Sequence, residues 1–142
     1  MEPRISLITL GVADLERSLT FYRDGLGFPT TWDTERGVIF FQTAGTRLAL
    51  YPYEQMTGDV GPALQTPRAG FGGITLAHNV RLQEQVSEVL ALAARAGGTI
   101  LRSAHQAAWG GTTGYFADPD GYVWEVAWGA FPIAADGTLE IP

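Results

Sequence analysis

Apolar and polar positions alternate loosely along residues 4–12, Arg-Ile-Ser-Leu-Ile-Thr-Leu-Gly-Val, a stretch rich in β-forming side chains. The pattern predicts a strand covered on both faces. The period then changes. Leu15, Leu19 and Tyr22 stand at i, i+4 and i+7, joined by Ser18, and predict a helix that Asp14 caps and that Gly25 and Gly27 stop. Short strand-like runs follow at Phe28 to Asp33, Gly37 to Thr43 and Thr46 to Tyr51, with Gly37 and Gly45 at the turns. Tyr53 to Gly70 has no steady period but holds Pro62, Pro67 and several glycines, as in a long linker or an active-site flap.

The second half repeats the first. Ile74-Thr75-Leu76, behind Gly72-Gly73, mirrors Ile8-Thr9-Leu10, and Asn79 takes the capping place of Asp14. Val86, Val89, Leu90 and Ala93 form a helical apolar face, with Glu84 and Glu88 on the wet side and Gly97-Gly98 as the stop. Thr99 to Ala104, Thr112 to Ala117 and Tyr122 to Trp128 predict three more strands. Two β-α-β-β-β units in tandem predict an α+β architecture. Leu139 and Ile141 in the tail suggest a short edge strand or an arm packed on a partner.

Within the second half, Asp118-Pro119-Asp120-Gly121 reads as a tight turn. Proline presets φ, the aspartates can bond the local backbone and glycine ends the turn. Alternation beyond it puts Val123, Glu125 and Ala127 on one face, and Trp124 and Val126 on the other. A carboxylate therefore shares a face with small apolar neighbours.

Composition narrows the function classes. With 46% hydrophobic and 17% charged residues the chain is a folding one, and a net charge of −6 without a Lys/Arg run argues against a nucleic-acid groove. The absence of cysteine removes disulfides, thiolate metal sites and thiol catalysis. No basic and apolar leader or long apolar run is visible, so no membrane partner is expected and the cytoplasm is the default location.

The run Ile8 to Tyr22 with Gly25-Leu26-Gly27-Phe28, the duplication, and Tyr115 to Gly121 leading into Trp124-Glu125-Val126 resemble the vicinal oxygen chelate superfamily. That superfamily comprises glyoxalases, extradiol dioxygenases and bleomycin-resistance proteins. The resemblance implies a curved sheet around a cleft, built from two β-α-β-β-β modules. It implies one glyoxalase-like domain over 1–130, with module one at 4–52, a linker at 53–70, module two at 71–129, and a tail at 131–142. It also implies a homodimer.

In metal-dependent members of that superfamily, four strand positions supply ligands. The resemblance carries these onto Leu7, Ala49, Gly73 and Glu125, of which Glu125 alone is a ligand type. One carboxylate holds neither Zn²⁺ nor a harder cation, and the two histidines of an iron triad are missing from these positions. No metal and no cofactor are therefore expected.

The face carried over with Glu125 presents Leu7, Thr9, Ala49, Tyr51, Gly73, Thr75, Val123 and Ala127, a composition suited to a small-molecule pocket. Thr9, Tyr51, Thr75 and Glu125 are its candidate polar ligand contacts, and Trp32, Phe40, Gln42, Trp109 and Tyr115 its candidate walls or flaps. Trp124 belongs to the core. Of the two histidines, His78 reads as structural, whereas His105 could reach the cleft and pair with Glu125 as acid and base. Three roles stand open for Glu125: accepting hydroxyl hydrogen bonds, binding a cationic group, or acting as a general base.

The expected function is metal-independent binding of an aromatic or cationic small molecule, similar to the bleomycin-resistance type. The alternative is a glyoxalase-like lyase or isomerase that works through Glu125, His105 or Tyr115, or through a divalent metal not yet placed. A third reading is an interaction module with an empty cleft.

Overall fold

Asp14 starts the first helix as its side chain predicts. Its backbone is extended, and Oδ1 accepts the Arg17 N–H at 3.0 Å, satisfying one of the unpaired donors of a helix N-terminus. The computed structural model describes residues 1–3, 5–61, 70–129 and 131–141. The chain divides into two compact units, Met1–Gly73 and Ile74–Pro142.

In the first unit, β1 (Leu7–Val12) pairs parallel with β3 (Arg47–Pro52), and β2 (Ile39–Phe41) pairs antiparallel with the far side of β3. The helix α1 (Leu15–Leu19) passes directly into a π-helical segment over Thr20–Gly25, whose Leu26 N–H reaches back to Phe21 O at 2.9 Å. The wider turn brings Phe21 and Tyr22 into the core together with Ser18 and Leu19. Tyr22 packs on Phe21, Phe28 and Phe41.

Two expectations for this unit need correction. Phe28 to Asp33 is not a strand. Pro29 has no N–H to give a ladder, and the segment is tied to β2 at isolated points instead: Gln42 N–H to Pro29 O at 2.8 Å and Thr30 Oγ1 to Phe40 O at 2.7 Å. The expected linker begins with a helix, α2 (Tyr53–Val60). An eight-residue helix leaves little periodic signal. Tyr53 and Met56 pack against Gly11, where a Cβ would approach them to 3.0 and 3.1 Å. Residues 62–69 of that linker lie outside the described residues.

The second unit is a four-stranded mixed sheet in the order β4-β7-β6-β5, from β4 (Thr75–Asn79), β5 (Thr99–Gln106), β6 (Thr112–Ala117) and β7 (Val123–Trp128). β4 runs parallel to β7, and the other pairs are antiparallel. The helix α3 (Gln85–Arg95) packs on one face through Val86, Leu90 and Ala93. Gly114 permits this approach, because a side chain there would meet Leu90 at 2.5 Å and the β5 backbone at about 3.1 Å. Trp124 is buried on Phe116, their rings parallel with centroids 6.1 Å apart.

Asn79 does not cap α3. It is the last residue of β4, and Gln85 Oε1 accepts the Arg81 and Leu82 N–H groups ahead of the helix. The expected strand at Thr99–Ala104 extends to Gln106, so His105 lies within β5. Among its described residues the tail forms no edge strand, and it belongs to the second unit, where Ile133 and Leu139 make one antiparallel bridge. Among the described residues no helix is long and apolar enough to cross a membrane.

Candidate functional site

The turn at Asp118 sets the geometry of the site. Asp118 is buried, and its Oδ1 accepts the Asp120 and Tyr122 N–H groups at 2.9 and 2.8 Å. Two further backbone bonds, Asp118 N–H to Tyr122 O and Gly121 N–H to Asp118 O, both 3.0 Å, close it. This fixes the β6–β7 register, in which Tyr115 stands opposite Glu125 and Thr113 opposite Ala127. β4 adds Ala77 beside Glu125 and Asn79 beside Ala127.

Glu125 is half-buried. Its Oε1 accepts hydrogen bonds from the Tyr115 hydroxyl at 2.8 Å and the Thr113 hydroxyl at 3.0 Å. The Thr113 hydroxyl also lies 3.2 Å from Val126 O, so it can donate to only one of the two at a time. The Glu125 carboxylate holds the Tyr115 phenol above its ordinary pKa, and burial adds to this; the Thr113 hydroxyl and the Arg102 guanidinium act in the opposite sense. Arg102 stands opposite Tyr115 on β5, so a carboxylate, a phenol and a guanidinium follow one another across three neighbouring strands.

A cavity of about 410 Å³ opens beside this row, lined by Glu125, Asn79 and Ala127 of the sheet, Trp109, and the tail residues Phe131, Leu139 and Ile141. Its wall is mainly apolar, with one carboxylate and one amide. Trp109 is 50% exposed and rests against Gly111, where a Cβ would overlap its ring and Trp128 O.

Within the second unit the structure gathers Glu125, Tyr115 and Trp109. His105 stands opposite Thr113 in the ladder, its Nδ1 2.9 Å from Ser103 O, and it is not among the residues lining the Glu125 cavity. It borders a different one with Gln83, Glu84, Ser87 and Thr112. Thr75 is exposed on β4 beside Val123. In the first unit, Thr9 is exposed next to Ala49. Tyr51 donates to Asp59 of α2 at 3.1 Å, which raises its pKa. Trp32 packs edge-on against Phe40, and the Arg36 guanidinium lies 4.8 Å from its ring centroid.

The carried-over metal positions offer no donor set. Leu7 and Ala49 are apolar, and Gly73 precedes β4 with a φ of 78°, so the residue beside Glu125 on β4 is Ala77. Among the described residues no group of three or more His, Cys, Asp or Glu could hold a metal ion. The residues present do not fit the metal centre of metal-dependent relatives.

Sequence reasoning gave Asn79 a capping role and Leu139 and Ile141 an edge strand or arm, and placed neither them nor Phe131 and Arg102 at the site. Alternation from Glu125 through the pairing register would have found Arg102, but no local signal brings the tail back to β7.

A model of the glyoxalase/bleomycin resistance protein/dioxygenase superfamily matches residues 4–126. No curated protein matches the sequence. Among solved structures, a glyoxalase-related enzyme from Fulvimarina pelagi is 37% identical, with 98% of each chain covered and a TM-score of 0.88. A glyoxalase/bleomycin resistance protein/dioxygenase family enzyme from Burkholderia phytofirmans PsJN shares the fold at 17% identity, with 88% of this chain and 98% of that one covered and a TM-score of 0.76. A lactoylglutathione lyase from Agrobacterium tumefaciens shares it at 22% identity, with 89% and 94% covered and a TM-score of 0.66.

Proposed function

The chain belongs to the glyoxalase/bleomycin resistance protein/dioxygenase superfamily, and from that premise we propose that its second unit binds a small organic molecule at Glu125 without a protein-held metal. The observation that carries this reading is the one-sided support of the carboxylate. Tyr115 donates to Oε1, the Thr113 hydroxyl can donate to the same oxygen, and Oε2 accepts no hydrogen bond among the described residues. A carboxylate reached by two hydroxyls and left with acceptor capacity beside an apolar cavity suits a ligand with a donor or cationic group and an aromatic or aliphatic body. Trp109 lines the same cavity, and an indole ring suits contact with such a group.

Thermal-shift screening against small aromatic and cationic compounds tests it. Hits should raise Tm in the wild-type protein and lose most of that shift in Glu125→Gln. A screen without hits, or hits indifferent to Glu125→Gln, would sink the reading.

A second reading, a lyase or isomerase, is favoured by the 2.8 Å contact that couples a phenol donor to a carboxylate. Glu125 then serves as base and Tyr115 as the group that orients it. Turnover of a bound ligand, abolished by Glu125→Gln, separates this reading from binding alone.

A further inference from the structure

The chain returns to the Glu125 cavity after β7. Phe131, Leu139 and Ile141 line that cavity with Glu125 and Trp109. The return path is a small hairpin. Ile133 bridges Leu139, Ala134 N–H donates to Thr138 O, and Glu140 N–H donates to Pro132 O, both at 2.9 Å. Asp136 accepts the Thr138 N–H at 3.0 Å, and Gly137 supplies the positive φ of 91° that the turn needs. A hairpin this short is marginal by itself in water.

Arg81 secures it. Nη1 donates to Ile133 O and Nη2 to Ala134 O, both at 2.6 Å, so the planar fork spans two successive carbonyls. The arginine is itself fixed at its backbone. Val80 N–H donates to Ala127 O at 2.9 Å, and the Arg81 and Leu82 N–H groups both end on Gln85 Oε1. Ala127 lines the cavity, so the guanidinium ties the tail to the strand end on which the cavity is built.

We propose that Arg81 is a positioning residue that holds the C-terminal hairpin as the apolar wall of the Glu125 site, and that this wall selects ligands with an extended apolar substituent. The inference rests on the binding reading above. Burying a methylene strengthens binding by roughly fourfold, so a wall that takes up several methylenes discriminates chain length by far more than the carboxylate can.

Ethylammonium and hexylammonium ions are the probes, titrated by NMR into the wild type, Arg81→Ala, Arg81→Lys, the double variant Leu139→Ala/Ile141→Ala, and Glu125→Gln. The wild type should prefer hexylammonium by at least about tenfold, and Glu125→Gln should weaken both ions. Arg81→Ala and the double variant should bring the hexyl-to-ethyl ratio down to about two or less, with Arg81→Lys intermediate. Partial unfolding would weaken both probes alike, so the ratio reports the wall and not stability. An unchanged ratio in both Arg81→Ala and the double variant would overturn the wall while leaving Glu125-dependent binding intact. If neither ion binds the wild type in a Glu125-dependent way, the binding reading falls and takes the wall with it.

Discussion

The Tyr115 hydroxyl donates a 2.8 Å hydrogen bond to Glu125 Oε1 from the position directly opposite it in the β6–β7 ladder. Directly opposed side chains lie close enough for such a bond to form without distorting the sheet. The pair orients the carboxylate and marks its accessible side.

The same bond sets a pH dependence. Tyr115 loses its proton less readily than an ordinary tyrosine of pKa 10.0, first because its hydroxyl bonds Glu125 and then because it is partly desolvated. A raised folded-state value means that the associated stability is complete below about pH 10 and is lost as pH climbs through the folded value. Ultraviolet titration, with Tyr115→Phe as the reference spectrum, should show Tyr115 ionising late in the wild type and earlier in Glu125→Gln. Coincident titration curves would contradict the assignment.

Gly111 is buried, and any Cβ there meets the Trp109 ring and the Trp128 carbonyl oxygen. Gly111→Ala should cost about 1–3 kcal/mol of stability, as overpacking does. It should also displace Trp109 from the cavity. Urea unfolding and acrylamide quenching, each compared with Trp109→Phe, measure the two effects. An alanine variant that matches the wild type in both would show that Trp109 is not held by this contact.

Asp118 Oδ1 accepts two backbone N–H groups in the turn that fixes the β6–β7 register. Bonds to a charged group each contribute roughly 1.5–3 kcal/mol, so Asp118→Ala should lower unfolding stability by about 3 kcal/mol. Asp118→Asn keeps an accepting oxygen and should recover part of that loss. Chemical denaturation decides it; equal stability of the alanine and wild-type proteins would count against the role.

The donor set around Glu125 predicts weak metal retention. Protein equilibrated with Ni²⁺, Zn²⁺ or Mn²⁺ and then desalted should carry well under one equivalent of any of them. Elemental analysis measures this directly, and a stoichiometric metal would overturn the metal-free reading.

Much of the second unit was legible because its signals are local. Asp118-Pro119-Asp120-Gly121 announced the turn, alternation placed Glu125 opposite in direction to Trp124, and a helical stripe announced α3. The first unit was less so. Pro29 keeps Phe28 to Asp33 out of the ladder, although the segment has strand-like composition, and α2 is too short to show a period. Thr9, Tyr51, Thr75 and Trp32 were proposed from alternation and aromatic character, signals that select residues without saying what they meet. Tyr51 meets Asp59 and Trp32 meets Phe40 and Arg36, each within its own unit.

By itself, the sequence determined the duplicated α+β pattern and the strand face on which Glu125 lies, whereas the metal positions that lack ligand types came from the family resemblance. The pattern and the face follow from spacing and residue chemistry, which act over a few neighbours. Tertiary structure decided which hydroxyls reach Glu125, that His105 borders another cavity, and that tail residues line the Glu125 cavity. Those outcomes depend on strand pairing and on hydrogen bonds such as that from Arg81 to Ile133, which join residues distant in the chain and leave no periodic trace in it.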